Sequence, residues 1–139
     1  MELSKKKLIS IAIIDDNQFY VDFVKKWLTR RLGSSIFQSD CTVRINAIHD
    51  PATLKLDKEK YDIAFLDYYL DDNCTAIDLI PEFKKYQPDC EVYVTSQQYT
   101  DLTAYHTIDK GATGFLFKGD KDLLFKTCAL IEQKIQLSA

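Results

Sequence analysis

The chain has 139 residues, of which 46% are hydrophobic and 28% are charged, and its formal net charge is −3. These values are typical of one globular domain. The small negative charge gives no electrostatic reason to bind nucleic acid or an anionic membrane. No apolar stretch approaches the roughly 20 residues that span a bilayer. We therefore predict a single cytoplasmic domain over residues 1–139, with a core at about 8–136, that binds neither nucleic acid nor a membrane.

The four cysteines are spread along the chain, with no C-x-x-C pair and no cysteine–histidine spacing typical of a zinc site. They are Cys41, Cys74, Cys90 and Cys128. We expect four reduced thiols, most of them packed in the interior.

Short apolar runs alternate with longer amphipathic stretches along the chain. The runs have the pattern of β-strands, and they lie at residues 8–14, 43–48, 61–66, 92–96 and 114–117. The first run is almost continuously apolar, as expected for a strand that is covered on both faces. Helices are predicted between and after the runs, beginning near Phe19, at Asp50-Pro51, and over 76–86, 102–110 and 122–135.

The predicted helices differ in how clearly their faces and ends are marked. The buried face of the first should carry the apolar residues at helical spacing: Phe19, Phe23, Val24, Trp27, Leu28 and Leu32. Its opposite face carries four cations, Lys25, Lys26, Arg30 and Arg31. Gly33 is expected to end this helix and Gly111 the fourth. Pro81 lies inside the third and predicts a kink or a later start.

Five strands that alternate with five helices predict an α/β fold in which helices cover both faces of a doubly wound parallel sheet. Ligands of such sheets bind beyond the carboxyl ends of the strands. The predicted strands end in acidic, hydroxyl and basic side chains: Asp15, Asp16, Asp67, Thr95, Ser96 and Lys118. We therefore expect these side chains to share one edge of the sheet.

Carboxylates gathered away from water raise the free energy of the fold unless a cation shares them. Asp15, Asp16 and Asp67, together with the ammonium group of Lys118, therefore indicate a site for a divalent metal and a phosphate group. A structural alternative exists for Asp15 and Asp16. Acidic side chains also cap helix N-termini, and a helix is predicted directly after this pair.

From about residue 9 to residue 135 the chain resembles the receiver domain of two-component response regulators. The resemblance rests on four motifs that occur in the family's order and on the family's elements. They are Ile-Ile-Asp15-Asp16-Asn17, Asp-Ile-Ala-Phe-Leu-Asp67-Tyr-Tyr-Leu, a hydroxyl at the end of the fourth strand, and Lys-Gly111-Ala-Thr-Gly-Phe115-Leu-Phe-Lys118. The resemblance implies a flavodoxin-like (βα)5 fold with strand order 2-1-3-4-5.

The resemblance also implies a chemistry. Asp67 would accept a phosphoryl group from a histidine kinase or a histidine-phosphotransfer protein, and the domain would catalyse its own Mg²⁺-dependent phosphorylation and dephosphorylation. Mg²⁺ would be held by Asp15, Asp16, Asp67 and the main-chain carbonyl of Tyr69. Because phosphoryl transfer depends mostly on positioning and charge neutralisation, the metal and Lys118 would carry most of the catalysis.

By the same resemblance, a hydroxyl and an aromatic residue relay the phosphorylation to a partner-binding face. The hydroxyl is Ser96 or Thr95; spacing to Lys118 favours Ser96. Phe115 takes the position of the switch aromatic, although plain core packing explains it nearly as well. The output face would lie on the last two helices, where a homodimer, an output domain or a partner protein binds. Three aromatic residues are candidates for this face, although core packing explains them almost as well: Tyr99, Tyr105 and Phe125.

The chain departs from the family pattern after two of its motifs. Gly119 follows Lys118 where the family commonly has a proline, and the loop after Asp67 has two extra acids, Asp71 and Asp72, that are either near the metal or solvated. An alternative function is a receiver-like interaction module that works without phosphorylation. A metal-dependent phosphohydrolase is a third reading, but it requires an acid two residues after the nucleophile, where this chain has Tyr69.

Overall fold

The structure is a computed structural model that describes residues 7–37, 40–71, 73–98 and 100–138. Its strands are β1 (Lys7–Ile14), β2 (Cys41–Ile48), β3 (Ile63–Asp67), β4 (Tyr69–Asp71), β5 (Cys74–Thr75), β6 (Glu91–Ser96) and β7 (Gly114–Phe117). Its α-helices are α1 (Gln18–Phe37), α2 (Ala76–Tyr86), α3 (Asp101–Asp109) and α4 (Leu123–Ser138). None of the helices in the described part of the chain is long and apolar enough to cross a membrane.

The five strands other than the short β4 and β5 correspond to the five strands of the predicted sheet. Five parallel strands form one sheet in the order β2-β1-β3-β6-β7. Counted among themselves, these strands have the predicted order 2-1-3-4-5, so the flavodoxin-like fold is confirmed. The strand order reverses at β1, which pairs with β2 on one side and β3 on the other. The carboxyl ends of β1 and β3 are therefore the expected place for a ligand.

The sheet separates two hydrophobic clusters, as a strand pattern covered on both faces predicts. Side chains of β1 alternate between them: Ile11 and Ile13 pack with α1 and α4, while Ala12 and Ile14 pack with α2. All four are less than 5% exposed. This alternation explains the continuous apolar run, because neither face of β1 is open to water.

The short helix predicted at Asp50-Pro51 is present, but it is not an α-helix. Only a single turn of 3₁₀ helix forms there, at Pro51–Thr53, and the chain then continues without a helix to β3. Asp50 caps that turn by accepting the N–H of Ala52 at 3.0 Å. Leu54 and Leu56 next pack against the α2 side of the core. Residues two apart do not share a helical face, so burying both leucines requires a non-helical chain.

The predicted end of the first helix at Gly33 is also wrong, because α1 continues to Phe37. A glycine ends a helix when it adopts a positive φ. Among the described residues only Gly111 does so, with φ of 112°, and it ends α3 as predicted. Gly33 instead lies on the exposed side of α1, where an added Cβ would meet no atom within 4 Å.

The buried face of α1 differs from the predicted one at its first two members. Phe19 and Phe23 are 88% and 56% exposed. The residues that pack into the core are instead Val21, Val24, Leu28 and Leu32. Phe19 lies two positions before Val21, which places the two side chains on different sides of a helix. The predicted stripe was therefore too wide, and two aromatic rings face solvent.

Helix α2 begins before Pro81 rather than after it, so a late start is ruled out. Its first turn has the residues of a capping box, Thr75 and Asp78, and Oδ2 of Asp78 accepts the backbone N–H of Thr75 at 3.0 Å. The last helix follows the prediction closely. Its buried side contains Leu123, Cys128, Ile131 and Ile135, with Leu124 packed partly against the same cluster.

Candidate functional site

A cleft of about 610 Å³ opens at the carboxyl ends of the main strands. The ends of β1, β3, β6 and β7 contribute to its wall because parallel strands finish at the same edge. The lining residues are Asp15, Asp16, Asn17, Tyr20, Asp67, Tyr69, Ser96, Gln97, Gln98, Lys118 and Gly119. The cleft thus brings together the acid pair, the third acid, one hydroxyl and the lysine that the sequence predicted at this edge.

The acid pair at the end of β1 is divided between two environments. Asp15 is 3% exposed; its Oδ1 accepts the N–H of Asn17 at 3.0 Å, and its Oδ2 accepts from Nζ of Lys118 at 2.5 Å. Asp16 is exposed at the cleft. Helix α1 is capped by Asn17, whose Oδ1 accepts the N–H of Tyr20 at 3.1 Å. The helix-cap alternative therefore does not account for Asp16.

Lys118 joins two of the three acids. Its Nζ lies 3.1 Å from Oδ1 of Asp67, in addition to its contact with Asp15. The lysine side chain is only 12% exposed and that of Asp67 is 13% exposed. The start of the lysine is fixed as well, because its backbone N–H donates to the carbonyl of Ser96 at 2.7 Å. The ammonium group is thereby aimed into the cleft.

Burial and like charge raise the pKa of Asp67 and of Asp16. Burial, followed by the negative charge of Asp15, raises the pKa of Asp67 to about 6, against the opposing effect of Lys118. Partial desolvation and the charge of Asp15 also raise the pKa of Asp16. Burial works to lower the pKa of Lys118, but its contacts with Asp15 and Asp67 outweigh burial and raise it. One ammonium group therefore does not compensate three carboxylates.

The three carboxylates fit a small divalent cation. One oxygen from each of Asp15, Asp16 and Asp67 can be chosen so that all three lie within 4.8 Å of one another. Carboxylate oxygens are the ligands that Mg²⁺ and Ca²⁺ prefer. With Lys118 protonated, the cluster keeps a net charge of about −2 that a divalent ion would balance. Tyr69 lines the same cleft, and its main-chain carbonyl as a fourth ligand stays a prediction.

The two candidate hydroxyls face different surroundings. Ser96 lines the cleft, and its Oγ accepts the N–H of Gln98 at 3.1 Å. Thr95 donates its hydroxyl to the carbonyl of Leu66 at 3.3 Å and faces a small void beside Val24 of α1. The geometry therefore favours Ser96 as the hydroxyl that reaches a group bound in the cleft.

Phe115 and Gly119, which lie before and after Lys118 in the chain, differ in whether they line the cleft. Phe115 is half-buried against the α2 side of the core and is not one of the residues that line the cleft. Gly119 lines the cleft, and a Cβ added there would lie 2.4 Å from the ring of Phe117. A residue with a side chain would have to displace that ring. This contact gives a local reason for glycine where the family commonly has proline.

The loop after Asp67 forms a small hairpin that was not predicted. β4 and β5 pair antiparallel, with Tyr69 opposite Thr75. The rings of Tyr68 and Tyr69 meet edge to face at 4.8 Å, and Tyr69 is 58% exposed at the mouth of the cleft. Asp71 is exposed, and its Oδ1 accepts the N–H of Asn73 within the turn. Asp71 therefore stabilises the hairpin turn; Asp72 lies outside the described residues.

Phe125 on α4 contacts residues of α1. Its ring meets that of Trp27 on α1 at 5.3 Å, and the guanidinium of Arg31 lies 5.2 Å from its centroid. Its side chain is still 52% exposed, so its place on an output face stays a prediction. Tyr105 is 65% exposed on α3, and Tyr99 lies outside the described residues.

A family model described as "Response regulator receiver domain" matches residues 11–129 of the chain. The chain belongs to this family. The match runs from within β1 into α4, so every acid of the cleft, Ser96 and Lys118 lie inside it. No curated protein sequence matches this receiver domain.

Several solved receiver structures share its fold. A CheY-like receiver domain protein from Methanospirillum hungatei is 19% identical, with a TM-score of 0.72, and the match covers 94% of this chain and 95% of that one. The BeF3-activated DrrB receiver domain is 16% identical, with a TM-score of 0.74 over 93% and 98%. A response regulator from Burkholderia pseudomallei with a phosphorylated aspartic acid, a calcium ion and citrate is 20% identical, with a TM-score of 0.66 over 94% and 74%. At these identities the likeness shows the fold alone.

Sequence reasoning missed four residues that line the cleft of this receiver domain: Asn17, Tyr20, Gln97 and Gln98. Tyr20 has the closest connection to the charged cluster, because Nζ of Lys118 lies 4.6 Å from its ring centroid. The sequence did contain a signal for this position of Tyr20. Tyr20 follows Asp16 by four residues at the start of a helix, and one helical turn keeps it at the same edge of the sheet.

Proposed function

We propose that this receiver domain accepts a phosphoryl group on Asp67 from a phosphohistidine of a histidine kinase or a histidine-phosphotransfer protein in the cytoplasm. The observation that carries the proposal is the position of Lys118, whose ammonium group lies 3.1 Å from Oδ1 of Asp67 inside an acidic cleft. A carboxylate oxygen of Asp67 would attack phosphorus. A phosphorus–oxygen bond then forms, the phosphorus–nitrogen bond breaks, and the imidazole leaves with the electron pair.

The side chains around Asp67 suit this step. A pKa of about 6 leaves Asp67 mostly ionised at neutral pH, as a nucleophile must be. Lys118 would neutralise charge on the transferred group, and the Ser96 hydroxyl would donate to one of its oxygens. We propose that Asp15, Asp16, Asp67 and the carbonyl of Tyr69 hold Mg²⁺. When bound, this ion would supply further charge neutralisation at the phosphoryl oxygens.

The phosphodonor is proposed to dock on the α1 face, which we define as Phe19, Phe23, Lys26 and Arg30. Both phenylalanines are exposed, and they belong to the first two turns of α1, which begins at the mouth of the cleft. Aromatic and arginine side chains are typical anchors of protein interfaces. A donor with an apolar surface and an acidic rim would fit this face while its phosphohistidine reaches Asp67.

The output is proposed to pass through α3, β7 and α4. Of these, α3 carries three exposed large apolar side chains: Leu102 is 65%, Tyr105 65% and Ile108 47% exposed. Ser96 connects this region to the cleft, because its carbonyl accepts the backbone N–H of Lys118 directly after β7. Movement of the Ser96 hydroxyl toward a phosphoryl group would therefore act on both β6 and β7. A second copy of the chain, an output domain or a partner protein would read the change.

The test is phosphorylation by a small phosphodonor. We would incubate the protein with acetyl phosphate and Mg²⁺ and measure its intact mass. The expected result is addition of one acid-labile phosphoryl group that is lost in Asp67→Asn and retained in Asp71→Asn, which changes an exposed acid of the neighbouring hairpin. Equal labelling of Asp67→Asn would reject Asp67 as the acceptor. No labelling of the wild-type chain, with its fold and Mg²⁺ binding intact, would favour the phosphorylation-independent interaction module.

A second experiment tests the α1 face as the docking site of the phosphodonor. The substitution Phe23→Ser should slow phosphorylation by a cognate phosphorylated histidine kinase and leave the rate with acetyl phosphate unchanged. Leu137→Ser, which changes another exposed apolar residue at the far end of α4, is the control. Equal rates for wild type and Phe23→Ser with the kinase would remove the α1 face from the proposal.

A further inference from the structure

We propose that Tyr20 is a positioning residue that holds the ammonium group of Lys118 in the cleft through the face of its ring. This inference rests on the proposed phosphoryl transfer to Asp67, which gives Lys118 its role. Three groups surround the ammonium: Oδ2 of Asp15 at 2.5 Å, Oδ1 of Asp67 at 3.1 Å, and the ring centroid of Tyr20 at 4.6 Å. A cation within about 6 Å of an aromatic centroid is attracted by the ring quadrupole.

The ring of Tyr20 is itself held in place. Its backbone N–H donates to Oδ1 of Asn17 at 3.1 Å, which fixes the first turn of α1 beside the cleft. The side chain is half-buried, and it packs against the cluster between α1, α4 and the sheet. The ring also lines the cleft. The ring of Tyr20 is therefore held in a fixed position. The lysine side chain has four rotatable bonds, and contact with a fixed ring restricts the position of its ammonium group.

Of the three groups around the ammonium of Lys118, only the ring of Tyr20 is not also a proposed metal ligand. Asp15 and Asp67 are also proposed ligands of a divalent ion, so the ion and Lys118 would bind the same two carboxylates. Tyr20 offers no carboxylate, and its attraction to Lys118 is not shared in this way. A third acid in its place would hold the ammonium but would add like charge beside Asp67. An aromatic ring orients Lys118 without increasing the repulsion in the cleft.

The first experiment measures the rate constant of phosphorylation by saturating acetyl phosphate with Mg²⁺. Tyr20→Phe keeps the ring and should react at the wild-type rate. Tyr20→Leu removes the ring and should react roughly three- to thirtyfold more slowly. Replacing Tyr20 by phenylalanines with one, two and three ring fluorines keeps the shape while weakening the quadrupole, so the logarithm of the rate constant should fall steadily along the series.

A double-mutant comparison tests whether the effect passes through Lys118. In a Lys118→Ala background, Tyr20→Phe and Tyr20→Leu should give the same residual rate constant, because the cation that the ring positions is gone. If Tyr20→Leu slows that background as much as it slows the wild type, Tyr20 acts by another route and the proposal is wrong.

A readout without metal or phosphodonor separates this inference from the proposed function. NMR relaxation of the ¹³C-labelled ε-methylene group of Lys118 should report a more mobile side chain in Tyr20→Leu than in wild type or Tyr20→Phe. Circular dichroism and thermal unfolding verify that each variant is folded. Failure of the wild type to be phosphorylated would count against the proposed function only. Unchanged Lys118 mobility in a folded Tyr20→Leu, or a flat fluorine series in a wild type that is phosphorylated, would overturn the role of Tyr20.

Discussion

Nζ of Lys118 lies 2.5 Å from Oδ2 of Asp15, although the two residues are 103 positions apart in the chain. Lys118 follows the edge strand β7, Asp15 follows the interior strand β1, and β3 and β6 lie between them in the sheet. The lysine therefore reaches across the carboxyl end of the sheet. Its shorter contact goes to Asp15, while Asp67 receives the longer one at 3.1 Å. Lys118 therefore compensates the negative charge of Asp67 less fully than that of Asp15.

This incomplete compensation predicts a pH dependence of stability in metal-free buffer. The pKa of Asp67 is raised in the fold to about 6, so the folded state holds the proton more tightly than the unfolded state does. The stabilisation from protonated Asp67 is present at low pH and is lost as the pH rises from about 4 through about 6. Above that window ionised Asp67 destabilises the fold, by about 1 kcal/mol after allowance for solvent screening.

Urea denaturation with EDTA at pH 5 and pH 7.5 checks this prediction. Asp67→Asn should be more stable than wild type at pH 7.5, and its advantage should shrink at pH 5. Asp71→Asn, an exposed acid in a turn, is the matched control and should show no such pH-dependent difference. An advantage of Asp67→Asn that grows toward pH 5 would contradict the sign of the effect.

The metal prediction concerns Asp16, the exposed member of the acid pair. Asp16→Asn removes one proposed ligand charge and should weaken Mg²⁺ binding, measured by titration calorimetry or by tryptophan fluorescence. Because the pKa of Asp16 is raised by desolvation and by Asp15, the same variant should have a slightly higher melting temperature in metal-free buffer. A lower melting temperature would mean that Asp16 stabilises the start of α1 instead.

A pair of glycines predicts opposite effects of the same substitution. Gly33→Ala should stabilise the protein by roughly 0.5–1 kcal/mol, because Gly33 lies within α1 and an added Cβ meets no atom within 4 Å. Gly111→Ala should destabilise it, because its φ is 112° and the Cβ would lie 2.9 Å from Lys84. Thermal unfolding of both variants measures these two changes in stability. A destabilised Gly33→Ala would show that α1 needs flexibility at that turn.

The strands of this fold could be predicted from the sequence more reliably than the ends of its helices. The strands were found because a strand covered on both faces has a continuous apolar run, such as Ile11–Ile14, whatever surrounds it. Helix ends depend on more than composition. Gly33 and Gly111 look alike in the sequence, and only the backbone conformation separates an interior glycine from a C-terminal cap.

The site was predictable to the extent that its residues close a strand. Asp15, Asp16, Asp67 and Lys118 follow apolar runs directly, so parallel strands bring them to one edge. Tyr20 was missed because it reaches the cleft from a helix, through a contact of its ring with a lysine 98 positions away (118 − 20 = 98). Aromatic residues of a helix are ordinarily counted as core. Only the three-dimensional arrangement shows which of them meets a charge.

The hydroxyls can be distinguished by two substitutions. Ser96→Ala should still be phosphorylated but should fail to transmit the change to α3 and α4, since its Oγ lies at the cleft. Thr95→Ala removes a hydroxyl that donates to the carbonyl of Leu66, so it should cost about 1 kcal/mol of stability and leave the switch intact. Amide exchange in α3 after phosphorylation is the measurement. Loss of the response in Thr95→Ala alone would reassign the role by one residue.

The last prediction concerns the segment from 97 to 110, which contains α3. All nine residues of α3 are described, and only Thr107 among them is buried, while Leu102, Tyr105 and Ile108 are exposed. A helix with so little buried surface is held weakly and can have two arrangements that differ by little free energy. Phosphorylation adds up to about two negative charges beside Lys118 and Ser96, and such a charge matters only if it biases a two-state element.

Hydrogen–deuterium exchange with and without beryllofluoride and Mg²⁺ tests this prediction. Amide exchange over 97–110 should change, because Ser96 precedes the segment directly and accepts the backbone N–H of Lys118. The buried strand β1 is the internal control and should keep its exchange rates. Ser96→Ala should lose the response of α3 but not binding of the phosphate mimic. A change confined to the β4–β5 hairpin would mean that the signal leaves through the loop after Asp67 instead.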